Sequence, residues 1–410
     1  MRWNNMGAKK TVMLTGASGH MGFHGFKELY AKKDKFNLVL LLRGSEKNRV
    51  KFKDFENDPS VRIVWGDLTN YEDVLNAVTG SDYILHVGGM VSPAADWKPY
   101  RTQKTNIGAA QNICKAVLAQ PDPDAVKVCY IGTVAETGGR NYPIHWGRCG
   151  DPLKVSVYDH YAVSKCIAER VFVESGIKNW VVMRQSGILY PNILKNMDPI
   201  MFHVPINGGL EWCTVEDSGR LLANLCDEDA KGNLGSDFWN HFYNIGSGKE
   251  YRISNYEFEC LLLGTLGLAG PEKLFDPNWF TTKNFHGQFY ADGDKLENFL
   301  YFRENLPVKD YFNRLADQVE FYFKIPRYLP KNLVAACAKP FMKKIAKTPD
   351  FGTLDWVEKN NKQRLDIYFG GMDEWKKIPS KWENFDIIKF DKDNSAAEQF
   401  KLDRGYDETK

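Results

Sequence analysis

The stretch TVMLTGASGHMG, residues 11–22, passes from apolar and β-branched residues into three glycines at positions 16, 19 and 22. A short apolar run that ends at glycine predicts a buried strand, and helix-periodic residues follow the last glycine. Glycines in a strand–turn–helix unit permit a tight turn and let a phosphate approach the backbone. Because the N-terminus of the helix would face that anion, the stretch predicts a dinucleotide-binding fold.

Strand-like runs alternate with helix-periodic segments through the first half of the chain. After Thr11–Thr15 the runs are Leu38–Leu42, Val61–Trp65, Tyr83–Val87, Val126–Ile131 and Trp180–Met183. Such alternation predicts the α/β class, with a Rossmann-type doubly wound parallel sheet covered by helices on both faces. Ligands of these sheets bind at the carboxyl ends of the strands. Five candidate residues follow those ends: Gly16, Arg43, Asp67, Gly88 and Thr133.

The alternation loosens after Gly187, which divides the chain into three predicted parts. Residues 1–187 form the dinucleotide-binding domain, and residues 212–247 partly return to it. Residues 188–325 form a smaller α+β substrate lobe, and residues 326–410 are a C-terminal extension. Within the lobe, Ser254 and Glu257 have the spacing of a capping box at the start of a helix.

The extension contains an amphipathic segment at Lys331–Lys347. We expect it to pack on the body of the protein and to leave a basic face in solvent. Two alternatives are contact with a membrane surface and cover over the substrate cleft. A cover would exclude water and favour a bulky apolar substrate.

Composition narrows the class of protein. The 410 residues are 43% hydrophobic and 26% charged, with a net charge of +2, so neither nucleic acid nor an acidic membrane is an expected partner. The eight cysteines show no metal-ligand spacing, and we predict no metal site. The polar N-terminus is not a signal peptide, and no apolar run is long enough for a transmembrane span, so a cytoplasmic location is expected.

Tyr161 and Lys165 are four positions apart, which places both side chains on one face of a predicted helix. A free phenol titrates near about 10, and a neighbouring ammonium favours the phenolate. The pair therefore suits proton transfer at neutral pH. Thr133, after the fifth strand, has a hydroxyl for the same substrate oxygen; the alternative is a threonine that only caps a turn.

The residue after the second strand is Arg43, where an acidic residue would select NAD through the adenosine ribose. An arginine can pair with a 2′-phosphate, so NADP is the expected cofactor and NAD the alternative.

These features together resemble the extended short-chain dehydrogenase/reductase family, also called the NAD-dependent epimerase/dehydratase family. The resemblance covers about Lys10 to Phe323. It rests on nine elements in family order: TGASGHMG, WGDLT, ILHVGG, KTNI, YIGTVAETG, YAVSK, MRQSGILYP, WCTVEDSGRL and YNIGSG.

The resemblance implies roles for particular residues. Thr133, Tyr161 and Lys165 would be catalytic, with Asn106 as a fourth member that shapes a proton relay. The implied cofactor-binding residues are Gly16, Ser18, Gly19, His20, Met21, Gly22, Arg43, Asp67, Leu68, Gly88, Gly89, Tyr161, Lys165, Gln185, Ser186, Gly187 and Ile188. It also implies a homodimer that pairs through two helices, about Trp97–Ala119 and Tyr158–Glu174.

Two departures guide the choice of reaction. Val134 and Ala135 follow Thr133, where dehydratases of this family carry an acidic pair, and Arg43 differs from the acidic residue usual in its epimerases. The remaining resemblance is to the reductase branch, with dihydroflavonol-type and 3β-hydroxysteroid enzymes. We therefore predict an NADP-dependent carbonyl reductase, an oxidoreductase acting on a ketone, an aldehyde or the corresponding alcohol. The alternatives are an NAD-dependent sugar-nucleotide epimerase and a non-catalytic NADP-binding sensor.

Overall fold

A computed structural model describes residues 9–195 and 197–393 of the chain. Its centre is one sheet of seven parallel strands. These are β1 (Lys10–Thr15), β2 (Phe36–Leu42), β3 (Val61–Trp65), β4 (Tyr83–His86), β5 (Lys127–Thr133), β6 (Asn179–Gln185) and β7 (His241–Ile245). Their order across the sheet is β7-β6-β5-β4-β1-β2-β3. The order reverses between β1 and β4, so a crevice opens there at the carboxyl ends of the strands.

Fifteen α-helices are found in the described residues. They are α1 (His20–Tyr30), α2 (Glu46–Phe52), α3 (Tyr71–Val78), α4 (Ala94–Trp97), α5 (Pro99–Leu118), α6 (His160–Val173), α7 (Val215–Ala230), α8 (Asn255–Thr265), α9 (Pro271–Leu274), α10 (Asp294–Leu300), α11 (Val308–Asp317), α12 (Lys331–Ala346), α13 (Thr353–Glu358), α14 (Lys362–Tyr368) and α15 (Met372–Lys377). Short strands pair outside the main sheet: Ile188–Leu189 with Cys213–Thr214, Gly209–Glu211 with Arg252–Ser254, and Trp146–Gly147 with Phe289–Tyr290.

Helices cover both faces of the sheet because its strands alternate their apolar side chains between two cores. Leu14 of β1 packs in a core with residues of α1 and α7. Met13, its neighbour, points to the opposite core, which α3, α5 and α6 complete. This arrangement confirms the predicted Rossmann-type, doubly wound parallel sheet.

The predicted strands agree with the observed ones except at their ends. The run predicted to end at Ile131 continues through Thr133, which is the last residue of β5. Gly132 and Thr133 lack the apolar character that marks the rest of the strand, so hydropathy stopped the prediction too early. Ser254 and Glu257 form the predicted capping box on α8.

The segment after β7 packs around a separate core. Residues of α8, α11 and α12 meet there, together with aromatic side chains such as Phe275 and Trp279. The predicted amphipathic segment is α12, which buries Ala335, Met342 and Ala346 against this core. The three-part domain division stays a prediction. Within the described residues, no helix is both long and apolar enough to cross a membrane.

Candidate active site

A cleft of about 1170 Å³ lies at the carboxyl ends of the strands. It collects almost all the residues predicted from the sequence for the site. These are Gly16, Ser18, Gly19, His20, Met21, Gly22, Arg43, Asp67, Leu68, Gly88, Gly89, Thr133, Tyr161, Lys165, Gln185, Ser186 and Ile188. The cleft therefore extends from the glycine-rich turn to the Tyr161–Lys165 pair. Gly187 and Asn106 do not line it.

The glycine-rich turn brings two backbone segments into close contact. Gly16 has a φ of 74°, and a Cβ added there would lie 2.7 Å from the Cα of Gly88. The Gly88 amide donates to the Thr15 hydroxyl at 2.9 Å, which ties β1 to the end of β4. Helix α1 begins after Gly19, and no side chain caps its first amides. Those amides lie at the cleft wall, where an anion is favourable.

The far end of the cleft has a basic character. Arg43 directly follows β2 and is exposed to solvent. Asp67, after β3, directs its carboxylate to the amide and hydroxyl of Thr69. Three further cations line this cleft: Lys98, Arg101 and Lys104. The sequence prediction missed these three, because they lie on the segment around α5 and follow no strand end.

Thr133 and Tyr161 meet at the inner end of the cleft. Their side chains are hydrogen bonded, although one ends β5 and the other lies in the first turn of α6. Burial raises the pKa of Tyr161 above its ordinary value, and the hydrogen bond with Thr133 opposes that shift. Thr133 also accepts a hydrogen bond from the Ala135 amide at 3.3 Å. It is therefore a capping threonine as well as a neighbour of the phenol.

Lys165 lies one turn after Tyr161 and is buried. Its ammonium donates to the Ile131 carbonyl at 2.5 Å and lies 4.4 Å from the centre of the Tyr130 ring. Burial lowers the pKa of Lys165 to about 8. In this structure Thr133, and not Lys165, is the group that lowers the pKa of Tyr161.

Two predicted site residues lie behind the cleft wall. The Asn106 side chain accepts from the Met90 amide at 2.8 Å and donates to the Ser164 hydroxyl at 2.9 Å. These bonds hold α5, α6 and the loop after β4 together, so a part in a proton relay stays a prediction. Gly187 faces a neighbouring chamber, where an added Cβ would lie 2.8 Å from the Trp212 ring.

A buried group of charges supports this end of the site and was not predicted. Arg184 of β6 bonds both carboxylate oxygens of Glu169, at 2.8 and 3.0 Å. Glu136 lies 3.5 Å from the same guanidinium and accepts from the Thr133 amide at 2.8 Å. Burial raises the pKa of Glu136 well above its ordinary range, with Glu169 adding to the shift. The three-residue spacing from Thr133 to Glu136 is the capping-box signal that would have found this contact.

The described residues contain no cluster of three or more His, Cys, Asp or Glu side chains arranged to hold a metal ion.

An aromatic contact between two residues that line the cleft was also not predicted from the sequence. The His20 and Tyr190 rings stack with centres 4.0 Å apart, which joins α1 to the segment after β6.

Comparison with known proteins identifies the first part of the chain. Residues 12–183 match the model of the NAD dependent epimerase/dehydratase family. The UDP-glucose 4-epimerase of Rickettsia massiliae is 27% identical over 113 residues, which are 27% of this chain and 33% of that protein. A UDP-N-acetylglucosamine 4,6-dehydratase (inverting) of Campylobacter jejuni is 28% identical over 109 residues, 26% of this chain and 32% of that protein. The matched stretch thus spans about a third of the length of these curated relatives.

Solved structures share the fold over a longer stretch. The UDP-glucuronic acid 4-epimerase of Bacillus cereus, in complex with UDP-glucuronic acid and NAD, superposes with a TM-score of 0.59 at 16% identity, over 77% of this chain and 99% of that chain. A dTDP-glucose 4,6-dehydratase from Streptomyces venezuelae with NAD bound gives 0.58 at 18% identity, over 75% and 96%. The predicted fold is confirmed, and the predicted family is confirmed for residues 12–183, whereas the predicted reductase branch is not.

Proposed function

We propose, from the membership of residues 12–183 in the NAD dependent epimerase/dehydratase family, that the protein is an NAD(P)-dependent enzyme that interconverts a secondary alcohol and a carbonyl. One observation carries the proposal. The Tyr161 phenol, hydrogen bonded to Thr133, shares a single cleft with the uncapped N-terminus of α1. A proton carrier and an anion site at two ends of one cleft are what this reaction needs.

The cleft fits a dinucleotide in shape and chemistry. Gly16 and Gly88 leave no room for a Cβ between them, and the free amides of α1 face the same space. These residues would hold the pyrophosphate, and Arg43 and Asp67 would border the adenosine. When bound, the nicotinamide group supplies the donor or acceptor of hydride.

The residues at the inner end divide the proton chemistry among them. Tyr161 gives a proton to the substrate oxygen in reduction and removes one in oxidation. Thr133 donates a hydrogen bond to the same oxygen as negative charge develops there. Lys165 lies one turn after Tyr161 on α6, and its ammonium carries donors for a ribose hydroxyl.

Two more specific reactions, which differ in their substrates, are each supported by a different observation. The curated relatives and solved neighbours are named as sugar-nucleotide epimerases and dehydratases, so the comparisons favour an NAD-dependent epimerase over the predicted carbonyl reductase. Arg43 and the apolar chamber described below favour net reduction or oxidation of a substrate that is not a nucleotide. The cytoplasmic location and the homodimer stay predictions.

One assay separates these functions. NADPH and NADH oxidation is followed by absorbance with apolar ketones and aldehydes, and UDP-glucose is tested for epimerisation without net cofactor change. Tyr161-dependent oxidation of NADPH supports the reductase. NAD that is retained through purification, together with epimerised UDP-glucose, supports the epimerase. The absence of both activities contradicts the proposed function.

Replacement of Arg43 by aspartate tests the cofactor preference. We expect kcat/KM with NADPH to fall about 10- to 100-fold relative to NADH, because a charge-assisted contact with the 2′-phosphate is replaced by repulsion. Steady-state kinetics with both cofactors give the ratio. Lys53→Asp, which reverses an exposed charge nearby, is the matched control. An unchanged ratio in Arg43→Asp removes Arg43 from the phosphate site and favours NAD.

A further inference from the structure

We propose that a chamber beside the cleft, with Glu259 in its wall, binds the hydrocarbon body of the substrate, and that Glu259 bonds a hydroxyl or carbonyl oxygen on it. The chamber has a volume of about 330 Å³. This inference rests on the proposed function, since it places a substrate next to Tyr161. The substrate class that follows is an apolar molecule that carries an oxygen atom at each end.

The chamber is built from apolar side chains of the second half of the chain. Leu210 and Trp212 come from the segment after β6, and Phe258 and Leu262 come from α8. The Trp212 and Phe258 rings are stacked, 4.5 Å apart at an angle of 6°. Flat, rigid walls of this kind suit a hydrocarbon skeleton more than a hydrated sugar.

The charged residues in the wall are committed elsewhere or are not cations. Arg140 donates to Gln288 at 2.9 Å and pairs with Asp151 at 2.9 Å. Asp198 caps the turn at Pro199–His203. The other ionisable residues of the described lining are Glu259 and His286, and the His286 ring lies 3.7 Å from the Asp159 carboxylate. A diphosphate placed here would lose its water and meet no available cation, which is unfavourable.

Glu259 is the polar exception in this wall. It is 2% exposed, and its Oε2 atom has no hydrogen-bond partner among the described residues. Burial raises the pKa of Glu259 to about 8, so the neutral carboxylic acid predominates near neutral pH. A neutral acid donates one hydrogen bond and accepts another. A ligand oxygen supplies the partner that the folded chain does not.

The chamber adjoins the catalytic end of the cleft. Ser186 and Ile188 line the cleft, whereas Gly187 between them lines the chamber. His286 lines both spaces. On the outer side, Phe341 of α12 is 55% exposed and also lines the chamber. An apolar molecule that enters beside Phe341 would therefore lie against the wall that the chamber shares with the cleft.

Binding by the full-length protein saturated with NADP⁺, which cannot reduce a ketone, tests the inference by isothermal titration calorimetry. The probes are 4-cyclohexylcyclohexanone, its analogue with a hydroxyl on the distal ring, and UDP-glucose. We expect both ketones to bind at least about 10-fold more tightly than UDP-glucose, and the hydroxylated ketone to bind more tightly than its analogue. Leu262→Trp, which fills the chamber, weakens both ketones about 10-fold or more. Met201→Trp repeats the test if Leu262→Trp does not fold.

Glu259 is tested with the same probes. Glu259→Leu is expected to remove the advantage of the hydroxylated ketone, whereas Glu259→Gln keeps part of it. The control Glu250→Gln alters an exposed carboxylate and leaves binding unchanged. Tighter binding of UDP-glucose, or ketone binding that is indifferent to Leu262→Trp, overturns the inference. Because binding is read without turnover, a failure of Tyr161-dependent oxidation alone rejects the proposed function and not the chamber.

Thermal unfolding gives a second readout of Glu259 that does not depend on any ligand. The carboxyl of the unfolded chain titrates near its ordinary pKa, and that of the folded chain near 8. Burial of Glu259 therefore destabilises the fold increasingly as pH rises through this interval, and not below it. We expect the Tm of Glu259→Gln, relative to that of the wild type, to rise from about pH 5 to about pH 9. A constant difference in Tm means that Glu259 has a partner, and this overturns the inference.

Discussion

Replacement of Tyr161 by phenylalanine is expected to lower turnover about 100-fold or more while the fold and cofactor affinity stay near those of the wild type. The phenol is the group that carries the proton, and its ring has only a packing role. The hydroxyl contacts Thr133, so its loss breaks one hydrogen bond and leaves the position of α6 unchanged. The measurement is kcat for the best substrate of the absorbance assay, beside the Kd of NADPH from fluorescence.

Tyr322→Phe is the matched control, because Tyr322 is 60% exposed and lines neither the cleft nor the chamber. It removes the same atom without touching the site and should keep wild-type turnover. A Tyr161→Phe variant with unchanged kcat would contradict the assignment of the proton carrier. Loss of NADPH binding in this variant would instead indicate that the hydroxyl holds the cofactor.

The first half of the fold was predictable because its signals are local. The apolar runs of β1 to β5 are separated by helix-periodic segments, and each strand is buried on both faces. Hydropathy alone therefore locates them. Gly16 and Gly88 are 72 positions apart in the sequence. They meet because both follow strands that pair in the sheet. The predicted parallel sheet was therefore sufficient to predict which residues lie together in the candidate site.

The chamber could not be predicted from the sequence, and the reason is physical. Its walls come from the segment after β6, from α8 and from α12, which follow no common repeat or strand end. Glu259 lies in α8, and a glutamate in a helix is ordinarily a solvated residue. Its burial depends on α8 packing in the second core, which no local pattern encodes.

The buried charges around Arg184 illustrate the same limit closer to the site. Glu136 and Glu169 are 33 positions apart, on a turn after β5 and on α6, and both approach one guanidinium. An isolated acidic residue in a sequence predicts a solvated side chain. Only the packing of α6 on β5 reveals that these carboxylates lie beneath the catalytic pair.

Replacement of Arg184 by methionine is expected to lower the free energy of unfolding by about 3–5 kcal/mol, which is the cost of leaving a buried charge without its partner. Arg184 is 4% exposed, and Glu136 and Glu169 are 0% and 5% exposed. Methionine keeps an unbranched apolar stem but removes the only cation that bonds both oxygens of Glu169 among the described residues. Urea unfolding followed by tryptophan fluorescence measures the change.

Arg170→Met provides the comparison that makes this result interpretable. Arg170 lies on the same helix as Glu169 and pairs with Glu174, but the two side chains are 75% and 58% exposed. Water screens this pair, so its loss is expected to cost no more than about 1 kcal/mol. Arg184 also lowers the pKa of Glu136, so the Arg184→Met deficit should be smaller at a pH low enough to protonate Glu136 in both proteins than at a higher pH. Equal losses in the two variants would show that the buried cluster exchanges with solvent and does not hold the catalytic helix in place.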